Sequence, residues 1–394
     1  MENHSYGDII GNSGQAPYIN QLASNYGVAA NSFGVAHPSL PNYLALVGGD
    51  TFGVTSDCTT CFVSAPNLVV DRIAASGRTW KAYMENMPSA CFSGDAYPYA
   101  QKHNPFVYFD DLRTTSQCAN VVPMTALSND LGAASTTPQF VWITPNLCDD
   151  MHDCSIAAGD TWLSNTVPAI LSSPAFTTQN SLLLITWDED DNTENNNIPT
   201  LVVSPSVPAG YRSATPYNHY SLLKTIEQAW SLAPLTGNDA AAAPMSDFFS
   251  IVCVNAGGPA YTAKDGRHWQ ADFSSNAGRT YATTTPIAGT SDGTLYDSER
   301  YGTMAYSFSV PNGRYAVTLK FAELYWNSRG QRVFNVGLNG QRVLSNFDIL
   351  AHVPKFTALD RTFTTSVTNG KLSIAFTTVA DNAKVDAIEI IPTP

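Results

Sequence analysis

Three short, widely separated stretches gather oxygen ligands and histidines. They are Glu2-Asn3-His4-Ser5, His37-Pro38-Ser39-Leu40-Pro41-Asn42 and Trp187-Asp188-Glu189-Asp190-Asp191. A carboxylate, an amide, a hydroxyl and an adjacent acidic pair form a donor set suited to one hard divalent cation. A cation beside a serine lowers the hydroxyl's pKa and turns it into a nucleophile. It would also neutralise charge on a phosphoryl group. Taken singly, none of the three is specific. A chain end, a turn shaped by two prolines and a solvated acidic loop are each ordinary.

The elements that must position these residues show in the apolar pattern. Phe140–Thr144, Leu182–Thr186 and Thr200–Val203 are strand-like runs that stop in polar, Pro- or Asp-rich turns. Helical patterns lie between them at Asn67–Ala75, Asp160–Leu171 and Tyr220–Trp230. Apolar strands separated by helices predict a mostly parallel sheet in an α/β domain. The working residues then belong at the carboxyl ends of the strands.

The chain has 394 residues, which predicts two domains. Hydrophobic residues make up 44% and charged residues 13%, a globular composition. A formal net charge of -13 argues against a nucleic-acid backbone or an anionic membrane as main partner. No run reaches the ~18 apolar residues of a membrane span. Six of the seven cysteines fall within the first 154 residues, as Cys58/Cys61, Cys91/Cys118 and Cys148/Cys154. A zinc or redox reading of Cys58-x-x-Cys61 lacks a second such pair or a nearby pair of histidines. Three local disulfides in an exported protein explain more. Cys253 is expected to be an unpaired, buried thiol.

The texture changes after a Gly/Asn/Ala/Pro-rich linker at Leu235–Pro244. Alternating strands follow at Met304–Phe308, Tyr315–Phe321, Val333–Val336 and Lys371–Phe376. Turns at Pro311-Asn-Gly313, Asn339-Gly340 and Asn369-Gly370 separate them. Period-two strands at this spacing predict an all-β antiparallel sandwich. The domains are expected at 1–249 and 251–394.

Six motifs occur together in order: Met1-Glu-Asn-His-Ser-Tyr6, His37-Pro-Ser-Leu-Pro-Asn-Tyr43, Lys102-His-Asn-Pro-Phe-Val-Tyr-Phe109, Pro145-Asn-Leu-Cys-Asp-Asp-Met-His-Asp-Cys154, Thr186-Trp-Asp-Glu-Asp-Asp191 and Tyr217-Asn-His-Tyr-Ser-Leu-Leu223. Over roughly residues 1–249 the chain resembles the phosphoesterase family of acid phosphatases and phospholipases C, within the alkaline-phosphatase-like superfamily. The resemblance implies one divalent metal ion of unknown identity, held by Glu2, Asn3, Ser39, Asp188 and Glu189. It implies Ser39 as nucleophile. It places His103, His152 and His219 in motifs that supply phosphate contacts or protons, with Asp149 and Asp153 either orienting His152 or ligating a second metal. The reaction implied is two in-line displacements through a phosphoserine.

Residues 252–394 resemble malectin, a β-sandwich lectin for glucose-containing oligosaccharides. Val254-Asn-Ala-Gly-Gly258, Leu295-Tyr-Asp-Ser-Glu-Arg-Tyr-Gly302, Leu319-Lys-Phe-Ala-Glu-Leu-Tyr-Trp326, Arg332-Val-Phe-Asn-Val336, Asn346-Phe-Asp-Ile349 and Asp381-Asn-Ala-Lys-Val385 carry the likeness. It implies sugar contacts at Tyr281, Tyr301, Tyr325, Trp326 and Asp381, through ring stacking and hydroxyl hydrogen bonds. Tyr325 and Trp326 point to opposite faces if both lie in a strand, so both can bind only from a loop.

The expected function is therefore a secreted or extracytoplasmic phosphomonoesterase of the acid-phosphatase type with a sugar-binding module. Its partners are a phosphate ester and a glucose-containing oligosaccharide or cell-wall glycan. Phospholipase C-type cleavage of phosphodiesters is the alternative. A non-catalytic glycan-binding surface protein is a third reading, and the retained Ser39, Glu2, Asn3, Asp188 and Glu189 argue against it. In the family an apolar strand precedes the Glu-Asn pair, and here only Met1 does. The expectation is that the natural protein continues upstream with that strand and a signal peptide, and that the chain as written is poorly stable or inactive.

Overall fold

The strands that carry the site residues fall where the apolar runs are. A computed structural model describes residues 1–207, 209–249, 251–264, 267–310 and 312–393. The chain divides into two units, Met1–Ser204 with Gly210–Ser246, and Pro205–Ala209 with Asp247–Pro394.

In the first unit Phe140–Thr144 pairs parallel with Trp80–Met84, which pairs parallel with Val121–Pro123. A second sheet runs in the order Leu183–Thr186, Thr200–Val203, Gly27–Ala29, Tyr211–Ser213. Among the described residues four of the unit's six strand pairings are parallel. The exceptions are both made by Thr200–Val203, which is buried throughout and antiparallel to each neighbour. The sequence reading put this run among parallel strands. The loop 187–199 contains no helix, so the chain turns back on itself instead of crossing over. Helix Pro17–Asn25 packs on helix Ile156–Leu171 through Ile19, Leu22, Leu163 and Val167. Its first N–H groups are held by a carboxylate from the partner helix, with Tyr18 N and Ile19 N donating to Asp160 at 3.2 and 2.8 Å. The expected helix near Asn67 forms as a π turn, Leu68–Ile73, and a tighter turn, Ala74–Ser76.

Helix Ser39–Gly48 is buried along its whole length and packs on helix His219–Ala229. It stops at Gly49, whose φ of +76° suits glycine, and the side chains of Thr236 and Asp239 leave a Cβ only 3.1 Å.

The second unit is a sandwich. A six-stranded sheet has the order Tyr261–Thr262, His268–Ala271, Val252–Asn255, Ala387–Thr393, Gly313–Phe321, Leu359–Val367. A four-stranded antiparallel sheet has the order Met304–Ser309, Lys371–Ala380, Val333–Leu338, Gln341–Phe347. Tyr306, Val317, Phe321, Phe334, Phe376 and Ile388 meet in one core. Asn339-Gly340 joins Val333–Leu338 to Gln341–Phe347 with both residues at positive φ, 46° and 83°. The expected turn at Pro311 includes a residue outside those described.

Candidate active site

Ser39 opens a helix, and that placement organises the site. Pro38 caps it, and Pro41 falls in the first turn, where a missing N–H breaks no intrahelical bond. The Asn42 side chain accepts from Val35 N and Ala36 N at 2.9 and 3.0 Å and donates to the Ala36 carbonyl at 2.8 Å, fixing the approach to Ser39. Ser39 is 1% exposed, and its hydroxyl lies within hydrogen-bond distance of two carboxylates, Glu2 Oε2 at 3.1 Å and Glu189 Oε1 at 3.2 Å. One turn on, the Tyr43 hydroxyl donates to the other Glu2 oxygen.

Glu2 is fully buried and its backbone is bracketed: Glu2 N donates to the Asp150 carbonyl at 2.9 Å, and Asp188 N donates to the Met1 carbonyl at 3.1 Å. The loops after Phe140–Thr144 and Leu183–Thr186 thus meet at Glu2, at the carboxyl ends of their strands. Burial, and then the charges of Asp188 and Asp150, push the Glu2 carboxyl well above its ordinary range. Burial and Asp188 push Glu189 up to about 8, and burial pushes Asp150 up to about 7. Asp188 is raised as well, chiefly by burial.

The histidines divide. His103 is buried, stacks on Tyr43 at 5.3 Å, and sets Nδ1 3.0 Å from Asp150 Oδ2 and Nε2 3.4 Å from Glu2 Oε2. Burial depresses its pKa to about 3, so it is neutral. His152 lies beside it, and Nδ1 of His152 sits 2.7 Å from Asp153 Oδ1. Of the two aspartates expected near His152, Asp153 touches it, while Asp149 accepts from Asn146 at 2.9 Å. His219 is fully buried and holds the Asp188 carbonyl through Nε2 at 2.6 Å, which ties it to the backbone beneath the acidic pair.

The donor set fits a cation. Neither oxygen of buried Asp188 receives an N–H or hydroxyl donor among the described residues. Unpartnered buried carboxylate oxygens facing other carboxylates are what a divalent ion would satisfy. An oxygen of Glu2 and one ring nitrogen each of His103 and His152 also lie within 4.8 Å of one another. Asn3 is half-buried with φ +52°, and its side chain makes no hydrogen bond among the described residues.

Sequence reasoning missed five members, one of them Asp150, already described beside Glu2 and His103. Tyr43 was recoverable as the i+4 partner of Ser39. His37, whose ring contacts Glu189 and lies 3.4 Å from Asp190, belongs to the same motif as Ser39. Lys102 reaches Asp57 at 2.9 Å and His152 at 3.0 Å, and Asp57 also accepts from Leu40 N at 3.0 Å. These two meet the site only through long-range contacts, although Lys102 sits beside the noted His103. Cys58–Cys61, Cys91–Cys118 and Cys148–Cys154 are all bridged, and Cys253 is buried.

In the second unit Tyr325 and Trp326 lie on the loop after Gly313–Phe321, not in a strand. Their rings meet edge to face at 5.0 Å, Tyr325 is 60% exposed, and Trp326 Nε1 donates to Asp381 Oδ2 at 2.8 Å. Buried Glu323 accepts from both backbones, Tyr325 N at 2.9 Å and Trp326 N at 3.0 Å, and pairs with Arg332 at 2.7 Å. Arg332 donates in turn to the Asn382 carbonyl at 2.9 Å. Tyr281 and Tyr301 lie on adjacent antiparallel strands, Tyr281 opposite Glu299 and Tyr301 opposite Lys384, so all four share a face. Glu299 and Lys384 form a buried ion pair at 2.5 Å.

Comparison with known proteins agrees with both halves. The phosphoesterase family model matches residues 12–233, and the malectin domain model matches residues 250–388. A phosphatidylinositol-3-phosphatase of Mycobacterium tuberculosis is 40% identical over 255 residues, covering 63% of this chain and 80% of that protein. An acid phosphatase of Aspergillus fumigatus is 31% identical over 248 residues, 60% of this chain and 54% of that one. Human malectin is 38% identical over 132 residues, 32% of this chain and 45% of that one. The chain thus spans about half the length of the last two. No helix among the described residues is long and apolar enough to cross a membrane. The chain belongs to the phosphoesterase family: it is a phosphoric ester hydrolase that also carries a malectin domain.

Proposed function

We propose that the first domain hydrolyses phosphate monoesters with Ser39 as nucleophile and a divalent cation held by Glu2, Asp188 and Glu189, with Asn3 and the Ser39 hydroxyl beside them. The observation that carries this reading is the buried Ser39 hydroxyl, held in the first turn of a helix within hydrogen-bond distance of two carboxylates, at 3.1 and 3.2 Å. When bound, the cation would neutralise charge on the phosphoryl oxygens and favour the serine alkoxide. The helix N-terminus adds a positive potential at the same place. Ser39 Oγ attacks phosphorus and passes its proton to a carboxylate it already touches. The bond to the leaving oxygen breaks, and that oxygen takes its proton from solvent water. Water then attacks the phosphoserine, returning Ser39 and releasing phosphate.

The acid-phosphatase relative and the phosphatidylinositol-3-phosphatase relative both support a monoester. The malectin domain is proposed to bind a glucose-containing glycan at Tyr325, Trp326 and Asp381, with Tyr281 and Tyr301 alongside. Three disulfides support an oxidising, extracytoplasmic setting. The test is a panel of p-nitrophenyl phosphate against p-nitrophenylphosphorylcholine, with and without chelator. Turnover of the first, lost with chelator, is expected. Chelator-insensitive turnover, or turnover of the choline ester alone, overturns the reading.

A further inference from the structure

The cluster around Ser39 is rich in carboxylates, with Glu2, Asp150, Asp188 and Glu189 buried together. A phosphate monoester above pH ~6 is a dianion and must enter that field. Among the described residues, Lys102 is the only lysine or arginine hydrogen-bonded to a group of the site. Its placement is built. Asp57 accepts from Leu40 N, one residue past the nucleophile, through Oδ1 at 3.0 Å, and from Lys102 Nζ through Oδ2 at 2.9 Å. One carboxylate therefore fixes the ammonium to the helix turn that carries Ser39. The second Lys102 N–H is directed to His152 Nε2 at 3.0 Å, which must then accept, leaving its proton on Nδ1 toward Asp153 at 2.7 Å. An ammonium has three N–H groups, and the third has no partner among the described residues. The side chain is 20% exposed, so an incoming group can reach it.

We infer that Lys102 contacts a non-bridging phosphoryl oxygen and sets the preference for monoesters over diesters. The inference rests on the Ser39 reading of the same site. A monoester offers three non-bridging oxygens and two negative charges. A diester offers two oxygens and one charge. The extra oxygen and extra charge are what a fixed ammonium with a spare N–H recognises, and a charge-assisted hydrogen bond in a dry site is worth roughly 100-fold. Asp57 contributes as a positioning residue, acting through Lys102.

The test compares kcat/KM for p-nitrophenyl phosphate and bis(p-nitrophenyl) phosphate in the full chain, its Lys102→Met and Lys102→Arg variants, and Asp57→Asn. The monoester-to-diester ratio is expected to fall roughly 100-fold in Lys102→Met and to recover mostly in Lys102→Arg. Asp57→Asn is expected to lower it in the same direction by less. Inorganic phosphate, titrated by calorimetry, should bind Lys102→Met at least about tenfold more weakly. An equal loss on both esters, or an unchanged ratio, overturns the inference. Should Lys102→Met fail to fold, an unchanged ratio in Asp57→Asn overturns it as well. A wild-type chain that cleaves neither ester defeats the Ser39 reading instead. The phosphate titration then decides Lys102 alone, and equal binding by wild type and variant rejects it.

Discussion

Loading of the cation should release protons, in a number the site geometry sets. Glu2 and Glu189 face each other across the Ser39 hydroxyl at 3.1 and 3.2 Å, so their nearest oxygens are about 6 Å apart at most. Two ionised carboxylates at that separation repel by roughly 3 kcal/mol at an effective dielectric of 20. Burial adds to this, and both acids lie above their ordinary range, Glu189 at about 8. At pH 6.5, below that value, the metal-free protein holds a proton on Glu189, and Glu2 is shifted in the same direction. A divalent ion needs the carboxylates that hold it ionised and expels the protons they carry. Each proton released changes apparent affinity about tenfold, or roughly 1.4 kcal/mol, per pH unit below the pKa that governs it. The sign follows: affinity falls as pH falls. Calorimetric titration with Mn²⁺ in two buffers of different ionisation heat measures the release. At least about one proton per ion is expected for the wild type, and about one fewer for Glu189→Gln. Release below about half a proton, with affinity independent of pH from 5.5 to 7.5, would refute the reasoning.

Ser39→Ala should lower phosphatase turnover by about three orders of magnitude or more with an unchanged circular dichroism spectrum, and near-normal activity would reject the nucleophile. Glu227 is buried, and burial together with Asp239 holds it at about 8. Between the ordinary glutamate pKa and 8 the folded chain keeps a proton that the unfolded chain has lost, so stability falls as pH rises through that window. Thermal melts should show Glu227→Gln close to wild type at pH 5 and more stable at pH 8.5, and a constant difference would remove the assignment. Glu323→Ala takes from buried Arg332 its nearest carboxylate, leaving Asp381 at 3.6 Å and Glu299 at 3.9 Å, and should cost the second unit roughly 3 kcal/mol in denaturant melts. Glu323→Gln keeps an acceptor for both backbone N–H groups and should cost clearly less, whereas equal losses would show that the charge alone matters.

Much of the architecture was legible because it rests on periodicity. Phe140–Thr144, Leu183–Thr186 and helices Ile156–Leu171 and His219–Ala229 lie within a few residues of their apolar patterns. Thr200–Val203 was legible as a strand but not in its direction, which is decided by what the preceding loop lacks. The two prolines flanking Ser39 read as a turn, whereas both are tolerated at a helix start, so the helix N-terminus under the nucleophile was hidden. In the site, Ser39, Glu2 and Glu189 were named from motif and meet through one hydroxyl. Asp57 and Lys102 were not, because their value lies in contacts 17 to 50 residues apart along the chain. His219 was read toward phosphate, while its ring holds the Asp188 backbone. Tyr325 and Trp326 needed a loop to act together, and strand alternation in the preceding Gly313–Phe321 gave no sign of where it would end.

The loop carrying Tyr325 and Trp326 is held by its backbone. Glu323 grips the two N–H groups, and every amino acid except proline supplies that donor. The side chains at 325 and 326 are thereby relieved of any duty to keep the loop in shape, although Trp326 also ties down Asp381. Position 325, largely exposed, is the freer of the two. Such an arrangement lets a lineage, or a saturation library, exchange aromatic for aliphatic or polar groups at the surface with little penalty in folding. Selection on what the surface recognises can proceed there without first being filtered by selection on whether the domain folds.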